Sequence, residues 1–301
     1  MLNCSVRIAA TASLLLLAVS APAQQAALPV PSPAARPDNS PSSKSAALLR
    51  TNIKVYLIGD STMSIKEVRL YPETGWGMPF ATFFDPTVTI DNRAKNGRST
   101  KTFLSEGLWQ SVAGELKEGD YVFIQFGHND ESKEKAERYT TPEEYRANLV
   151  RFVSETRAKK ASPILLTPVA RRKFDASGHI METHEVYSNL VRSVAKDENV
   201  PLIDLDEKGQ ALLQQYGEEN SKLLFDWLEP GEHPNYPEGK QDNTHFNELG
   251  ARKIAELVLV EVKALHLDLA DKIVKRQVTA QPAAVPAPDK AVVSPKTPSR
   301  D

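Results

Sequence analysis

The chain is 301 residues long, 41% hydrophobic and 25% charged, with a formal net charge of −2 at neutral pH. That is enough apolar material for one large domain or two small ones. So near-neutral a balance offers no global field for nucleic acid or an anionic membrane. The single cysteine, Cys4, lies in an N-terminal targeting segment, which excludes a disulfide scaffold, a thiol nucleophile and a thiolate metal site from the mature chain.

Residues 1–23 read as a signal peptide. Arg7 supplies positive charge, 8–20 form an Ala/Leu-rich run too short to span a membrane, and Ala21-Pro22-Ala23 is a small-residue cleavage site. Cys4 precedes the apolar run and so is not placed for lipid attachment. The protein is expected to be exported, to the periplasm or outside the cell. Residues 24–47 are rich in Pro, Ala and Ser and read as a disordered linker, and 277–301 as a tail of the same kind. Between them, 48–276 form one candidate folded domain without internal repeats.

Inside it, strands and helices alternate. An apolar run at 54–58 predicts a strand that stops at Gly59 and is followed by Asp60-Ser61-Thr62. A helix is expected over 77–84, a second strand over 87–91, and a helix over 105–116 with Leu108, Val112 and Leu116 on one face and Trp109 in the core. A third strand runs over 121–126. The clearest helix is 142–159, where Thr141 caps, Pro142 takes the first position and Glu144 completes a capping box. A fourth strand at 164–167, a helix over 185–199 with Val186, Leu190 and Val194 inward, a fifth strand at 201–204 and helices over 207–216 and 248–265 complete the pattern. Strands apolar throughout, each followed by a helix, predict a parallel five-stranded sheet covered on both faces.

In such a sheet the loops after the strands open on one edge. Ser61 follows strand one, Asn96-Gly97 lies after strand two, His128-Asn129-Asp130 after strand three, and Asp242-Asn243-Thr244-His245 near the domain's end. A serine hydroxyl needs a base to act as a nucleophile. His245 is the candidate base, and Asp242, three residues earlier, can orient its ring. The backbone N–H groups of Ser61 and Gly97 and the side-chain amide of Asn129 are candidate donors to an oxyanion. Each block also has an ordinary reading: Asp60 to Thr62 as a helix cap, Gly127 to Asp130 as a turn, and Asn243 or Thr244 as the cap of the last helix.

The four blocks together resemble those of the SGNH (GDSL-type) hydrolases. The resemblance is closest to the rhamnogalacturonan acetylesterase group, carbohydrate esterase family twelve. It is carried by Gly59-Asp60-Ser61-Thr62-Met63, Thr74-Gly75-Trp76-Gly77, Asn96-Gly97-Arg98-Ser99, Gly119-Asp120-Tyr121-Val122, Gln125-Phe126-Gly127-His128-Asn129-Asp130, Thr167-Pro168-Val169-Ala170-Arg171-Arg172 and Asp242-Asn243-Thr244-His245-Phe246-Asn247. It covers about 54–265. What it implies is a three-layer α/β/α sandwich of flavodoxin-like type, a triad of Ser61, Asp242 and His245, and supporting roles for Asp60 and for Asp130, the latter under the Asn129 loop. It also implies hydrolysis of acetyl esters on plant cell-wall polysaccharide with no metal and no cofactor.

Basic residues crowd two strand-end loops: Arg93, Lys95, Arg98 and Lys101, then Arg171, Arg172 and Lys173. They read either as a solvated charged face or as a rim that grips uronate carboxylates. Trp76, Trp227 and Tyr236 are candidate sugar platforms, with core packing as the other reading of Trp76 between its two glycines. The loop 229–241 is a candidate wall of the cleft. Substrate contacts are thus expected from Trp76, Arg98, Arg171, Arg172 and Tyr236. The expected partner is an acetylated polysaccharide or oligosaccharide, with no nucleic acid, no membrane after signal cleavage and a monomeric state. Three other readings compete: a non-catalytic carbohydrate-binding protein on the same fold, an esterase for acetylated xylan, lipid or thioester, and a metal hydrolase built on His128, His233, Asp242 and His245.

Overall fold

The computed structural model describes residues 52–275. The expected signal peptide, linker and tail lie outside the described residues.

Five strands, β1 (Ile53–Gly59), β2 (Val88–Asn92), β3 (Tyr121–Gln125), β4 (Ser162–Leu166) and β5 (Leu202–Ile203), form one parallel sheet in the order β2-β1-β3-β4-β5. The two faces follow from strand periodicity. Ile53, Val55 and Leu57 of β1, with Phe123 of β3, enter one apolar cluster; Tyr56 and Ile58, with Val122 and Ile124, enter another. The first cluster is closed by α1 (Gly77–Phe80) and α7 (Glu248–Ala264), and is joined by Leu213 of α6 (Leu205–Ser221). The second is closed by α2 (Thr100–Ser105), α3 (Leu108–Glu115), α4 (Pro142–Ala158) and α5 (Glu185–Asp197). This is the expected three-layer α/β/α arrangement.

The strand order reverses between β1 and β3. The connection from β1 leads to β2 on one side, and the chain then returns to β3 on the other. In a doubly wound sheet the crevice opens at this switch point, beyond the carboxyl ends of the strands. Ser61 follows β1 and Asn129 follows β3.

Several elements differ from the periodicity reading. The helix expected over 105–116 spans Leu108–Glu115, because Gly107 takes a left-handed backbone (φ 73°) ahead of α3, and the short α2 before it is not among the expected elements. Trp109 is buried, as its position implies, and its indole N–H donates to Glu155. The helix over 77–84 passes into a 3-10 turn at Ala81–Phe83. On α5 the buried face is Tyr187, Val191, Val194 and Ala195, whereas Val186 is exposed. The face is rotated because Tyr187 meets Tyr145 edge to face and its hydroxyl donates to the Thr140 carbonyl at 2.6 Å. The capping box of Thr141 and Glu144 on α4 is formed in both directions.

The largest difference lies near the end of the domain. A two-stranded antiparallel hairpin, β6 (Phe225–Leu228) and β7 (Lys240–Phe246), stands apart from the parallel sheet. Asp242 and His245 are on β7, not in a loop. The last helix is capped by Asn247, whose side chain accepts from the Gly250 amide, and not by Asn243 or Thr244.

Candidate active site

The turn that carries Ser61 is set by close packing. β1 and β3 approach so tightly that a Cβ on Gly59 would lie 2.5 Å from the Gln125 carbonyl oxygen. The chain then bends, and Asp60 Oδ1 accepts from the Thr62 amide (2.9 Å) and the Thr62 hydroxyl (2.8 Å). Burial raises the Asp60 carboxyl above its usual range, against the pull of the Thr62 bonds and of Lys66. A second brace lies below: Gln125 donates to the Thr62 hydroxyl at 2.7 Å and accepts from the Trp76 indole at 2.5 Å. Trp76 is fully buried against Phe80. It is not a sugar platform, because its ring fills the core and its only polar atom is spent on Gln125.

Ser61 Oγ lies 3.0 Å from His245 Nε2, and His245 Nδ1 lies 2.8 Å from Asp242 Oδ2. Residues three apart on a regular strand point to opposite faces. Here the strand is bulged: β7 advances from Gln241 to Phe246 while β6 recedes only from Trp227 to Phe225. The other oxygen of Asp242 folds the bulge by accepting from the amides of Thr244 (2.7 Å) and His245 (2.9 Å). Burial opposes the charge on Asp242. The His245 bond and charge and the two amides outweigh it and hold the carboxyl well below the usual carboxylate range.

The glycine loop returns to the site after β2. Gly97 has φ +75°, a backbone that L side chains rarely adopt, and Arg138 packs over it. Asn129 donates one side-chain N–H to the Arg98 carbonyl at 2.9 Å. Asp130 Oδ1 accepts from the Thr100 amide (2.9 Å) and hydroxyl (2.6 Å), which ties the Asn129 loop to the glycine loop. Burial pushes Asp130 up to about 7, against the Thr100 bonds and with the help of the Asp60 charge. Ser61, Gly97, Asn129 and His245 all line one open cleft of about 850 Å³. The structure therefore brings together Ser61, Asp242, His245, Gly97 and Asn129, with Asp60 and Asp130 behind them. Such a set can deprotonate a hydroxyl for attack on a carbonyl and receive the oxyanion that forms.

The expected substrate contacts fare differently. Of the seven basic residues of the expected rim, only Arg171 lines the cleft. It reaches Glu131 at 2.9 Å and the Thr244 hydroxyl at 3.1 Å. Arg93 pairs with Asp91 and Glu115. Arg98 pairs with Glu106 and donates to the Asn96 carbonyl. Arg172 is buried; it donates to Ser221 and Asn243 and to the Glu218 carbonyl, and packs over Trp227. It is a strut of the hairpin, because burial leaves it no path to a ligand. Tyr236 lies outside the cleft lining, with its hydroxyl donating to the Leu70 carbonyl and Lys240 over its ring. No residue of 229–241 lines the cleft. That loop instead grips the 68–71 segment, where Asn235 donates to the carbonyls of Val68 and Tyr71. His233 accepts from the Asn235 amide and is not in the cleft lining. Among the described residues no group of three or more His, Cys, Asp or Glu is arranged to hold a metal ion.

Sequence reading missed much of the lining and the support. Lys133, Lys135 and Arg138 enter the cleft from the segment after β3, beside Glu131, Glu134, Glu182 and Glu185. His128 and His184 meet edge to face at 4.3 Å, and His184 Nδ1 lies 2.9 Å from Glu131. Burial, then the neighbouring His184, drives His128 well below the usual imidazole range, so it is neutral. Lys66, Glu73 and Lys240 form an ion-pair chain behind the site. No local spacing marks these residues, because each finds its partners across the fold.

Residues 57–253 match the GDSL-like Lipase/Acylhydrolase family. The chain is 42% identical over 230 residues to the rhamnogalacturonan acetylesterase RhgT of Bacillus subtilis, covering 76% of this chain and 98% of that one. It is 37% identical over 228 residues to the probable rhamnogalacturonan acetylesterase YesY of the same organism, covering 74% and 98%. The crystal structure of the Bacillus subtilis protein YxiM superposes with a TM-score of 0.62 at 26% identity, over 72% of this chain and 58% of that one. Axe2, an acetylxylan esterase from Geobacillus stearothermophilus, shares the fold with a TM-score of 0.51 at 17% identity, over 71% and 96%. The chain belongs to the GDSL-like lipase/acylhydrolase family and is a carboxylic ester hydrolase.

Proposed function

We propose that the protein is an exported serine esterase that removes acetyl groups from an acidic plant cell-wall polysaccharide, of which rhamnogalacturonan is the favoured case. The observation that carries the reading is the relay from Asp242 through His245 to Ser61, at 2.8 and 3.0 Å, on the floor of a cleft much larger than an acetyl group. Ser61 attacks the acetyl carbonyl while His245 takes its proton, and Asp242 holds the ring and stabilises the imidazolium. The oxyanion rests on the amides of Ser61 and Gly97 and on Asn129. His245 returns the proton to the sugar alcohol as it leaves, and water then releases acetate by the same route.

The substrate reading draws support from the two relatives' names and from the cleft wall. Arg138 lines the cleft over Gly97, and its hydrogen bond there is a long one, 3.4 Å, to the Gly97 carbonyl. A guanidinium so placed suits a uronate carboxylate next to the reacting sugar. The targeting segment of residues 1–23 supports export.

Acetate release from acetylated rhamnogalacturonan, acetylated xylan and a small aryl acetate tests both parts. The expected result is release from all three that is abolished in Ser61→Ala, with the acidic polymer preferred. Arg138→Gln should weaken use of the acidic polymer more than use of the aryl acetate. Equal release by the Ser61→Ala protein would remove the serine mechanism, and a preference for neutral xylan would remove the acidic substrate.

A further inference from the structure

The nucleophile and the glycine loop follow different strands, yet their two amides must address one oxygen atom. One buried cation joins them. Lys66 has a fully buried side chain. Its ammonium donates to the Ser61 carbonyl and to Asn96 Oδ1 (2.8 Å), and pairs with Glu73 Oε1 (2.7 Å). An ammonium has three protons, and here all three have acceptors. Asn96 Oδ1 also accepts from the Ser64 hydroxyl, so the same oxygen is fixed from both ends of the nucleophile turn. Glu73 continues to Lys240 (3.3 Å), and Lys240 reaches Asp226 (2.9 Å) and Asp242 (3.6 Å).

Withdrawing a charge from water costs free energy even when it is paired, and an apolar pair of similar size commonly stabilises a fold as well or better. Stability alone is therefore a weak reason for this lysine. Geometry supplies a stronger one. Preset donors are effective in acyl transfer because they need no reorganisation as charge develops, and small displacements of a catalytic group cost large factors in rate.

We propose that Lys66 is a positioning residue for ester cleavage: its ammonium locks the Ser61 turn to the Asn96-Gly97 loop, so that the amides of Ser61 and Gly97 converge on the oxyanion. This rests on Ser61 being the nucleophile. Lys66 does not touch the substrate; it acts through Ser61 and Asn96. Because the oxyanion exists only after attack, loss of the lock lowers kcat and leaves KM for a small ester in place.

The test uses an aryl acetate and the mature protein as wild type, Lys66→Met, Asn96→Ala, the Lys66→Met/Asn96→Ala pair and Ser61→Ala, with thermal unfolding of each. The expected result is that Lys66→Met lowers kcat by on the order of 100-fold, the size of a lost oxyanion donor, with KM unchanged. Asn96→Ala lowers kcat in the same sense, and the pair falls well short of the product of the two losses because both break one lock. If Lys66→Met, which leaves Glu73 with Lys240 alone, does not fold, Lys66→Met/Glu73→Gln removes both charges and carries the same expectation. Asn96→Ala keeps the buried charges whole, so it tests the lock in any event. A folded Lys66→Met or Asn96→Ala protein with wild-type kcat, or a rise in KM without a fall in kcat, overturns the proposal while an inactive Ser61→Ala leaves the serine mechanism standing. An active Ser61→Ala overturns the nucleophile reading and this inference with it.

Discussion

The two halves of the site are held by different forces. Ser61, Gly97 and Asn129 stand at the carboxyl edge of a parallel sheet buried on both faces, and their turns are fixed by close packing and by hydrogen bonds within and between the loops. Asp242 and His245 stand on a hairpin outside that sheet. What seats the hairpin is partly the apolar contact of Phe225 with Phe246, and largely charge: Lys240 against Asp226 and Glu73, and Arg172 against Asn243 beneath Trp227. The Ser61 half stands on the packed core, with the buried Lys66 ammonium joining its two loops. The His245 half has no such sheet beneath it and depends on a polar network, whose members are costly to leave unpartnered once buried.

That contrast can be broken or sharpened by substitution. Ser61→Ala, at the sheet half, is expected to have the largest effect, a loss in kcat on the order of 10⁴- to 10⁶-fold with the unfolding temperature preserved. Asp242→Asn, at the hairpin half, is expected to cost about 10⁴-fold, because an amide neither fixes the imidazole tautomer nor stabilises its cation. Steady-state kinetics on an aryl acetate, beside a melting curve, read both. If Asp242→Asn retained near wild-type turnover, the hairpin would not be the acid–base half.

Asp130 gives the Ser61 half a pH signature. Its carboxyl titrates at about 7 when folded, against an ordinary value of 3.8. The native state therefore keeps a proton that the unfolded chain has released, and stability falls as pH rises from about 4 to about 7. Asp130→Asn removes that slope. The variant's advantage in unfolding free energy should grow across the window by at most about 4 kcal/mol, at about 1.4 kcal/mol per pH unit, and stay level above it. A constant difference from pH 4 to 8 would show that Asp130 does not titrate there.

The struts should separate the halves further. Arg172→Met strips Asn243, Ser221 and the Glu218 carbonyl of their buried donor. A loss of about 2–4 kcal/mol is expected, with activity falling as the hairpin loosens. Gln125→Leu leaves the Trp76 indole without an acceptor inside the core and takes one donor from the Thr62 hydroxyl, which keeps its bond to Asp60. It should lower global stability by about 1–3 kcal/mol while the residual folded protein keeps its turnover. Hydrogen exchange would place the first effect in β6 and β7 and the second across the sheet.

The sequence by itself determined the parallel sheet, because apolar strands followed by helices can bury both faces in few other ways. It also determined that Ser61, Gly97 and Asn129 share an edge, since strand-end loops of such a sheet open together, and it placed Asp242 beside His245 through three residues of chain. Tertiary structure alone decided the rest. Asp242 and His245 lie on a bulged strand whose partner is built of residues with no clear period. Trp76 is a buttress, and Arg172 is a strut, because burial is a property of the packed fold and not of residue type. Lys66, Glu73 and Lys240 share no spacing that links them along the chain. They become one chain of ion pairs only where the loops after β1 and β2 meet the hairpin, because electrostatic partnership depends on distance in space and leaves no mark on sequence spacing.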